Sequence, residues 1–203
     1  DSTRLAATTY NDNIYTSSDS GVNWTGQTAS GARSWSAISM TNNAAGIAAI
    51  SGTVLYISSD AGATWMQNDL GSRCNASGCA MAVSSDFAKL VVAATGKPIY
   101  ISVDSGATWT ARTVIDSGAW RTLATNSDGT KLVGATEYSA RVYTSADAGV
   151  SWTVQSSAGQ RNWTGVASSS DGTRLAASVS SGYIYTSADS GATWVERTAA
   201  GSR

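Results

Sequence analysis

The sequence predicts an all-β protein, a five-bladed β-propeller of four-stranded antiparallel blades, and three observations predict it. One eight-residue motif occurs five times in the 203 residues, at 17–24, 58–65, 102–109, 145–152 and 187–194. The motifs recur roughly every 42 residues, a spacing typical of propeller blades. Between the motifs, short apolar and alanine-rich runs alternate with turn residues, without a helical period. We therefore expect one domain over residues 1–203, with one blade for each motif.

Each motif has the pattern Ser-x-Asp-x-Gly-x-x-Trp and is called the Asp-Gly-Trp motif below. The carboxylate can accept N–H groups of the loop, the glycine permits a positive φ that tightens a hairpin, and the tryptophan can fold back as an apolar anchor. A structural role is predicted for Asp19 and Trp24, Asp60 and Trp65, Asp104 and Trp109, Asp147 and Trp152, and Asp189 and Trp194. Each loop offers one carboxylate, whereas calcium needs several, so we predict no metal and no cofactor.

The other residues of each unit predict four short strands. In the last unit these are 163–168, 174–179, 183–187 and 192–198. Residues 1–7 align with 171–177, the turn and second strand of that unit, so the first blade lacks its innermost strand within this chain. We therefore expect nineteen strands, with the ring completed by further repeats of a longer chain or by a neighbouring copy.

At its five Asp-Gly-Trp motifs the chain resembles the BNR/Asp-box propeller superfamily. That superfamily includes sialidases, some glucan hydrolases, sortilin-type receptors and a photosystem-assembly factor. The resemblance implies the propeller fold and leaves the function open, because hydrolases and receptors share the motif. The Arg-Ile-Pro motif of the family's sialidases is absent from this sequence.

The acidic residues offer little for catalysis. Glycosidases use a pair of carboxylates, and this chain has two glutamates, Glu137 and Glu196. Five aspartates belong to the motifs, and four more fall at predicted turns, leaving Asp12, Asp69 and Asp116 without an assigned place. The chain has no histidine, which excludes Ser/His and Cys/His nucleophiles. We predict that the protein is not an enzyme, with a degenerate glycosidase as the distant alternative.

A second repeated signature pairs arginine with tryptophan ahead of the predicted inner strands. Its residues are Arg33, Trp35, Arg73, Trp120, Arg121, Arg161 and Trp163. An aromatic face beside an arginine fork is typical of sugar binding, so these residues are the candidate ligand site. The other interpretation is that tryptophan fills the space between blades while arginine stacks on it. Exposed rings would favour a binder, and buried rings would favour a scaffold.

Cys74 and Cys79 bracket the corresponding loop of the third unit, where the tryptophan is missing. The pair predicts a small disulfide-closed loop, with two free thiols as the alternative, and zinc is excluded for lack of other ligands. Glycosylation acceptor patterns begin at Asn23, Asn75 and Asn162. We expect Asn75 to be the most exposed of the three, because the other two precede a tryptophan that should be packed.

Composition limits the partners. Net charge is −1, and no run of Lys and Arg provides an electrostatic surface for nucleic acid. No apolar stretch is long enough for membrane insertion. Charged residues are only 13% of the chain, and a surface of small polar residues suits an extracellular protein. The sequence thus predicts a secreted or cell-surface, non-catalytic recognition propeller, with glycan binding or adhesion leading and a structural scaffold segment of a larger assembly as the alternative.

Overall fold

The computed structural model describes residues 3–41, 45–75, 79–112, 119–137 and 141–201. These residues form nineteen β-strands in five separate antiparallel sheets, which are the five blades of a β-propeller. Helical structure within them is limited to four three-residue 3₁₀ turns. None of those helical turns is long enough to cross a membrane. The predicted fold class is confirmed.

The strands follow the chain from the first blade to the fifth. Blade one contains β1 (Leu5–Thr8), β2 (Ile14–Ser17) and β3 (Thr25–Gln27). Blade two contains β4 (Trp35–Met40), β5 (Ile47–Ser51), β6 (Val54–Ser58) and β7 (Met66–Asp69). Blade three contains β8 (Ala80–Val83), β9 (Leu90–Ala93), β10 (Ile99–Ser102) and β11 (Thr110–Arg112). Blade four contains β12 (Trp120–Thr125), β13 (Leu132–Thr136), β14 (Val142–Ser145) and β15 (Thr153–Val154). Blade five contains β16 (Trp163–Ser168), β17 (Leu175–Val179), β18 (Ile184–Ser187) and β19 (Val195–Arg197).

Within each sheet, neighbouring strands are consecutive in the chain, so every blade is a simple meander. The first strands of blades two to five, β4, β8, β12 and β16, lie side by side around the centre. Blade one has only three strands, as predicted. Its Leu5 pairs with Ser17 just as Leu175 pairs with Ser187, so β1 corresponds to the second strand of a complete blade. The inner edge of β1 therefore carries no strand among the described residues.

The core lies between blades, because side chains alternate between the two faces of each strand. One cluster joins blades two and three through Ile50, Leu55 and Val92. A second joins blades three and four, and a third joins blades four and five through Val133 and Leu175. Small alanines in the inner strands let adjacent blades approach closely near the axis.

The space between blade five and blade one, here called the seam, is different. Ile184 on blade five is 42% exposed, although Val142 and Ile99, at the same register position in blades four and three, are fully buried. Leu5 on blade one is 37% exposed, whereas its counterpart Leu90 is fully buried. At the seam, the face of blade one that carries Leu5 and the face of blade five that carries Ile184 are thus partly exposed, whereas the corresponding faces of blades three and four are buried.

Candidate functional site

The Asp-Gly-Trp motifs form closed hydrogen-bond systems at the turns between the third and fourth strands. In blade three, Oδ1 of Asp104 accepts the Thr108 N–H at 2.8 Å and the Ser102 hydroxyl at 2.7 Å, while Oδ2 accepts the Thr108 hydroxyl at 2.5 Å. The Ser102 hydroxyl oxygen accepts the Gly106 N–H at 2.8 Å. The Trp109 indole N–H donates to the Gly106 carbonyl at 3.0 Å. The same pattern recurs in the other four motifs, with Asn23 replacing the hydroxyl residue in the first.

Two consecutive residues in each motif adopt a positive φ. The glycine does so, as predicted, with Gly106 at 89°. The residue before it does as well, although it is never glycine: Ser105 is at 57° and Ala61 at 60°. Sequence reasoning missed this second position, because serine and alanine carry no signal for the left-handed region.

These hydrogen bonds lower the pKa values of the motif carboxylates. The pKa of Asp104 falls to about 2, chiefly through the Thr108 hydroxyl, then the Thr108 N–H and the Ser102 hydroxyl. The pKa values of Asp60 and Asp189 fall to about 2 for the same reasons. Those of Asp19 and Asp147 are lowered too. A carboxylate held ionised in this way is a structural acceptor and a poor general acid.

The tryptophans of the arginine–tryptophan signature lie within the protein. Trp163 is fully buried and Trp120 is 4% exposed, while Trp35 is half-buried. Each contacts the tyrosine of the third strand in its own blade: the ring centroids of Trp163 and Tyr185 are 5.4 Å apart. In this conformation the rings of Trp120 and Trp163 are not accessible for stacking against a sugar.

Three arginines of the signature stack on the third-strand tyrosine of blades two, three and five. The guanidinium carbon of Arg161 lies 4.4 Å from the centroid of Tyr185, and Arg33 lies 4.8 Å from that of Tyr56. Arg73 lies 5.8 Å from the Tyr100 ring. Each also donates to a backbone carbonyl three residues earlier, as Arg161 does to Ala158 at 2.7 Å. The second interpretation placed the arginines on the tryptophans; among the described residues Arg161 does lie 5.9 Å from the Trp163 ring, but the shorter contacts of the arginines are with tyrosine.

Blade four departs from the signature. Arg121 forms an ion pair with Glu137 at 3.1 Å, with side chains 40% and 46% exposed. The pair lies at the loop end of β12, next to the buried Trp120. The ligand-binding role assigned to Arg33, Trp35, Arg73, Trp120, Arg121, Arg161 and Trp163 stays a prediction. Ring contacts within the blades account for all of them except Arg121, whose partner is Glu137.

Cys74 and Cys79 form the predicted disulfide, with their Cα atoms 5.4 Å apart. Both are buried within the core between blades two and three. Cys79 directly precedes β8. The other inner strands, β4, β12 and β16, each begin with a tryptophan at this place. The cross-link therefore occupies the place of the missing aromatic side chain.

The expected order of exposure among the three glycosylation acceptor asparagines is wrong. Asn75 is half-buried and donates its side-chain N–H to the Thr95 carbonyl at 3.1 Å, whereas Asn23 and Asn162 are exposed. The buried disulfide explains this, because it draws Asn75 towards blade three. The Asn23 amide is itself engaged, since it donates to Asp19 at 2.7 Å.

The remaining carboxylates are dispersed. Asp12 accepts the Asn13 N–H at 2.7 Å and the Tyr15 hydroxyl at 2.9 Å, and its pKa is lowered mainly by the Asn13 backbone. Asp69 accepts the Gly71 N–H at 2.8 Å. Glu196, on the outermost strand of blade five, accepts a short hydrogen bond from Tyr185. Asp116 lies outside the described residues. Within the described part of the chain, no three His, Cys, Asp or Glu side chains meet at a potential metal site.

A cavity of about 360 Å³ lies at the mouth of the central channel. It is lined by the ends of β4, β8, β12 and β16 and by the turns that follow them, on the same face as the Asp-Gly-Trp motifs. The polar groups in its lining are uncharged and are mostly hydroxyls: Ser39, Ser85, Thr125, Asn126, Ser127, Ser168, Ser169 and Ser170. Sequence reasoning did not single out these residues, because serines at the ends of strands resemble ordinary turn residues.

Backbone hydrogen bonds tie the rim of this cavity together. The Ser85 N–H donates to the Ser127 carbonyl at 2.8 Å, and the Ser127 N–H donates to the Ser170 carbonyl at 2.9 Å. Lys89 donates to the Asp128 carbonyl and Lys131 to the Asp171 carbonyl, each at 3.0 Å. The rim is thus held in shape across blades three, four and five before any ligand arrives.

No protein-family model matches the chain, and no curated protein matches its sequence. Solved structures of low identity are similar in fold. The GH74 xyloglucanase from Xanthomonas campestris is 17% identical, with a TM-score of 0.70, over 97% of this chain and 36% of that chain. YCF48 bound to a D1 peptide is 18% identical, with a TM-score of 0.65, over 97% and 63%. A chain of a nidogen/laminin complex is 13% identical, with a TM-score of 0.77, over 96% and 74%.

The chain thus spans less than two thirds of the length of the xyloglucanase and YCF48 chains. At these identities the likeness shows the fold alone. It places the chain in the structural class of β-propellers. The similar structures in that class include a hydrolase and proteins solved in complex with a partner.

Proposed function

We propose that this protein is a non-catalytic extracellular recognition propeller of the BNR/Asp-box type, and that its ligand is a glycan bound at the mouth of the central channel. The observation that carries the proposal is the preformed cavity of about 360 Å³ with its uncharged, hydroxyl-rich lining. Its volume falls in the range of about 300–1,000 Å³ that small-ligand sites occupy. Hydroxyl and amide groups both donate to and accept from the hydroxyls of a neutral sugar, and among the described residues the lining contains no cationic side chain to balance the charge of a phosphate or a carboxylate.

The extracellular assignment is supported by the disulfide between Cys74 and Cys79, since such bonds persist in oxidising compartments. The assignment to the BNR/Asp-box type is supported by the five motifs and their matching hydrogen-bond systems. The non-catalytic assignment is supported by the carboxylates. A glycosidase needs one carboxyl group with a raised pKa beside an ionised one. The shifts found at Asp12, at the turns and in the motifs are all downward.

A scaffold role is the second candidate, and the buried Trp120 and Trp163 favour it. Structures of similar fold point the same way: one holds YCF48 with a D1 peptide, and another is a nidogen/laminin complex. A scaffold would use its edges and loops for protein partners and would leave the channel mouth empty.

A glycan array probed with the labelled 203-residue protein tests the proposal, followed by calorimetry on the best ligand. Ser39→Phe places a ring in the cavity wall and should weaken binding at least tenfold. Ser34→Phe is the matched control, because it adds the same ring to an exposed position within the arginine–tryptophan signature. If Ser34→Phe weakens binding and Ser39→Phe does not, the glycan site lies in the loops around Arg33 and Trp35 and not in the cavity. Failure to bind any glycan would favour the scaffold.

A further inference from the structure

A strongly exposed tyrosine lies on the face of the propeller opposite the Asp-Gly-Trp motifs. Tyr10 is 80% exposed and belongs to the turn between β1 and β2. By the strand register, Glu137 and Ser180 occupy the same position in blades four and five, and both are exposed. Those two blades have their inner strands, so exposure belongs to this position and does not depend on a complete blade. The ring of Tyr10 thus offers a flat apolar surface to a ligand.

Hydrogen bonds join the turn of Tyr10 to the loop that precedes β4. The Arg33 N–H donates to the Asp12 carbonyl at 3.1 Å, and the two residues form an isolated antiparallel bridge. The Ser34 hydroxyl donates to the side-chain carbonyl of Asn11 at 2.6 Å. Tyr10 and Arg33 therefore belong to two loops in direct contact, and we treat the two loops as one site.

The guanidinium of Arg33 is fixed in place but incompletely bonded. Its central carbon lies 4.8 Å from the centroid of the Tyr56 ring, and its Nε donates to the Ser30 carbonyl at 3.0 Å. Among the described residues, its two terminal nitrogens have no hydrogen-bond partner and its charge has no ion-pair partner. The nearby Asp12 carboxylate is engaged within its own blade. A fixed guanidinium with free terminal N–H groups is suited to a carboxylate.

The two faces of the propeller differ in charge, although the net charge of the chain is only −1. Among the described residues, the turns of the motif face carry eight aspartates, Asp19, Asp60, Asp86, Asp104, Asp128, Asp147, Asp171 and Asp189, against Arg4, Lys89, Lys131 and Arg174. The loops and strand ends of the opposite face, here called the arginine face, carry eight cations, Arg33, Arg73, Lys97, Arg112, Arg121, Arg141, Arg161 and Arg197, against Asp12, Asp69, Glu137 and Glu196. An anionic ligand is therefore attracted to the arginine face and repelled from the motif face.

We infer that Tyr10 and Arg33 bind a uronic acid residue of an anionic polysaccharide, with the sugar ring stacked on Tyr10 and the sugar carboxylate on the terminal N–H groups of Arg33. The exposed side chains of Asn11 and Ser34 suit the hydroxyls of such a sugar. An acidic peptide could supply the carboxylate, but its aspartate and glutamate side chains have no ring to stack on Tyr10. The inference goes beyond the proposed glycan site, because it uses the opposite face and a charged ligand.

Fluorescently labelled tetramers of galacturonate, mannuronate and glucuronate test the inference on the 203-residue protein by fluorescence polarisation. At least one tetramer should bind saturably, and added salt should weaken its binding. Its methyl ester keeps the rings and loses the charges, so it should bind at least tenfold more weakly. Equal binding of acid and ester, or no binding of any tetramer, would overturn the inference.

Tyr10→Ala should weaken binding of the tetramer at least tenfold, whereas Tyr10→Phe should preserve it, because the ring surface remains. Val22→Ala is the matched control, since it truncates a side chain that is 78% exposed on the motif face. This control should bind like the parent protein. Unchanged binding by Tyr10→Ala would show that no sugar stacks on that ring and would contradict the proposed site.

Arg33→Gln should also weaken binding at least tenfold, and Arg33→Lys should lose less, because it keeps the charge without the planar fork. Arg174→Gln removes one exposed cation from the motif face and should have no effect. Melting temperatures identify any variant that fails to fold, in which case the Tyr10 variants decide. Equal losses for Arg33→Gln and Arg174→Gln would reduce the effect to overall charge and overturn the inference. Competition by polyglutamate as effective as that by the unlabelled tetramer would assign the face to acidic polypeptides and would also overturn it.

Discussion

At the scale of single residues, the protein depends on one carboxylate repeated five times. Each motif aspartate accepts a backbone N–H and a side-chain donor from the residue four positions later. It also accepts a hydroxyl from the serine two positions earlier. These contacts hold a turn in which two successive residues have a positive φ. Because one of those residues is never glycine, the hydrogen bonds must offset backbone strain as well as order the loop.

Acid should therefore weaken the folded state. The pKa values of Asp60, Asp104 and Asp189 are about 2 in the fold, below the usual value of 3.8. These carboxyl groups take up protons near pH 4 in the unfolded chain but only near pH 2 in the folded chain. The stability that the ionised groups contribute is therefore lost as pH falls from about 4 to about 2. The melting temperature, followed from pH 7 downwards, should stay level at first and then drop in that window.

The matching variant replaces those three aspartates with asparagine. It should melt at a lower temperature at pH 7, because a neutral amide is a weaker acceptor and cannot accept at both positions. Its melting temperature should also change less between pH 4 and pH 2 than that of the parent protein. Parallel curves for the two proteins would show that other groups control acid sensitivity.

At the scale of strands, three of the four inner strands, β4, β12 and β16, are anchored by a tryptophan at their first residue. Trp163 packs against Tyr185 and Trp194, with centroid distances of 5.4 and 6.4 Å. Blade three uses the disulfide of Cys74 and Cys79 at this place. An aromatic ring and a cross-link therefore serve the same purpose, which is to close the wide end of the space between two blades.

Trp163→Ala should lower the free energy of unfolding by about 3–5 kcal/mol, the usual cost of truncating a buried aromatic side chain. Trp24→Ala is the control, since Trp24 is 42% exposed and borders the seam, and it should cost distinctly less. Denaturant unfolding of both variants measures the difference. A small loss for Trp163, together with loss of glycan binding, would instead support the ligand role that its sequence context suggested.

Sequence patterns located the strands closely but misjudged some ends. In the last unit the predicted strand 163–168 is β16 to the residue, whereas the predicted strand 192–198 is only Val195–Arg197. The motif turn continues through Trp194, whose indole N–H is bound to Gly191, so the strand cannot begin earlier. Such a fold-back within a turn has no hydrophobic period that could reveal it.

At the scale of the whole molecule, three blade-to-blade interfaces contain a buried hydrophobic cluster, namely those between blades two and three, three and four, and four and five, whereas the seam is partly exposed. Lys89 and Lys131 each reach the turn of the next blade, while the corresponding Arg174 lines the open groove of blade five. Among the described residues, the seam therefore has both a strand edge without a pairing strand and partly exposed apolar side chains.

Two substitutions at one register position test whether the seam is open in solution. Val142→Thr places a hydroxyl in the fully buried interface between blades four and five and should cost about 1–3 kcal/mol. Ile184→Thr makes a similar change at the seam, where the side chain is 42% exposed, and should cost clearly less. Equal losses in denaturant unfolding would mean that blades five and one close on each other.

The sequence by itself determined the blade number, the four-strand unit, the incomplete first blade and the disulfide, because repeats, turn residues and cysteine spacing are local signals. Only the tertiary structure decided that Trp120 and Trp163 are buried and that the nearby arginines stack on aromatic rings. A tryptophan close to an arginine has the same sequence pattern whether a neighbouring blade or a ligand covers it. The tertiary structure also decided the channel-mouth cavity and the open seam. Both arise from strands far apart in the chain meeting around one axis, and burial by a neighbouring blade leaves no trace within a single repeat.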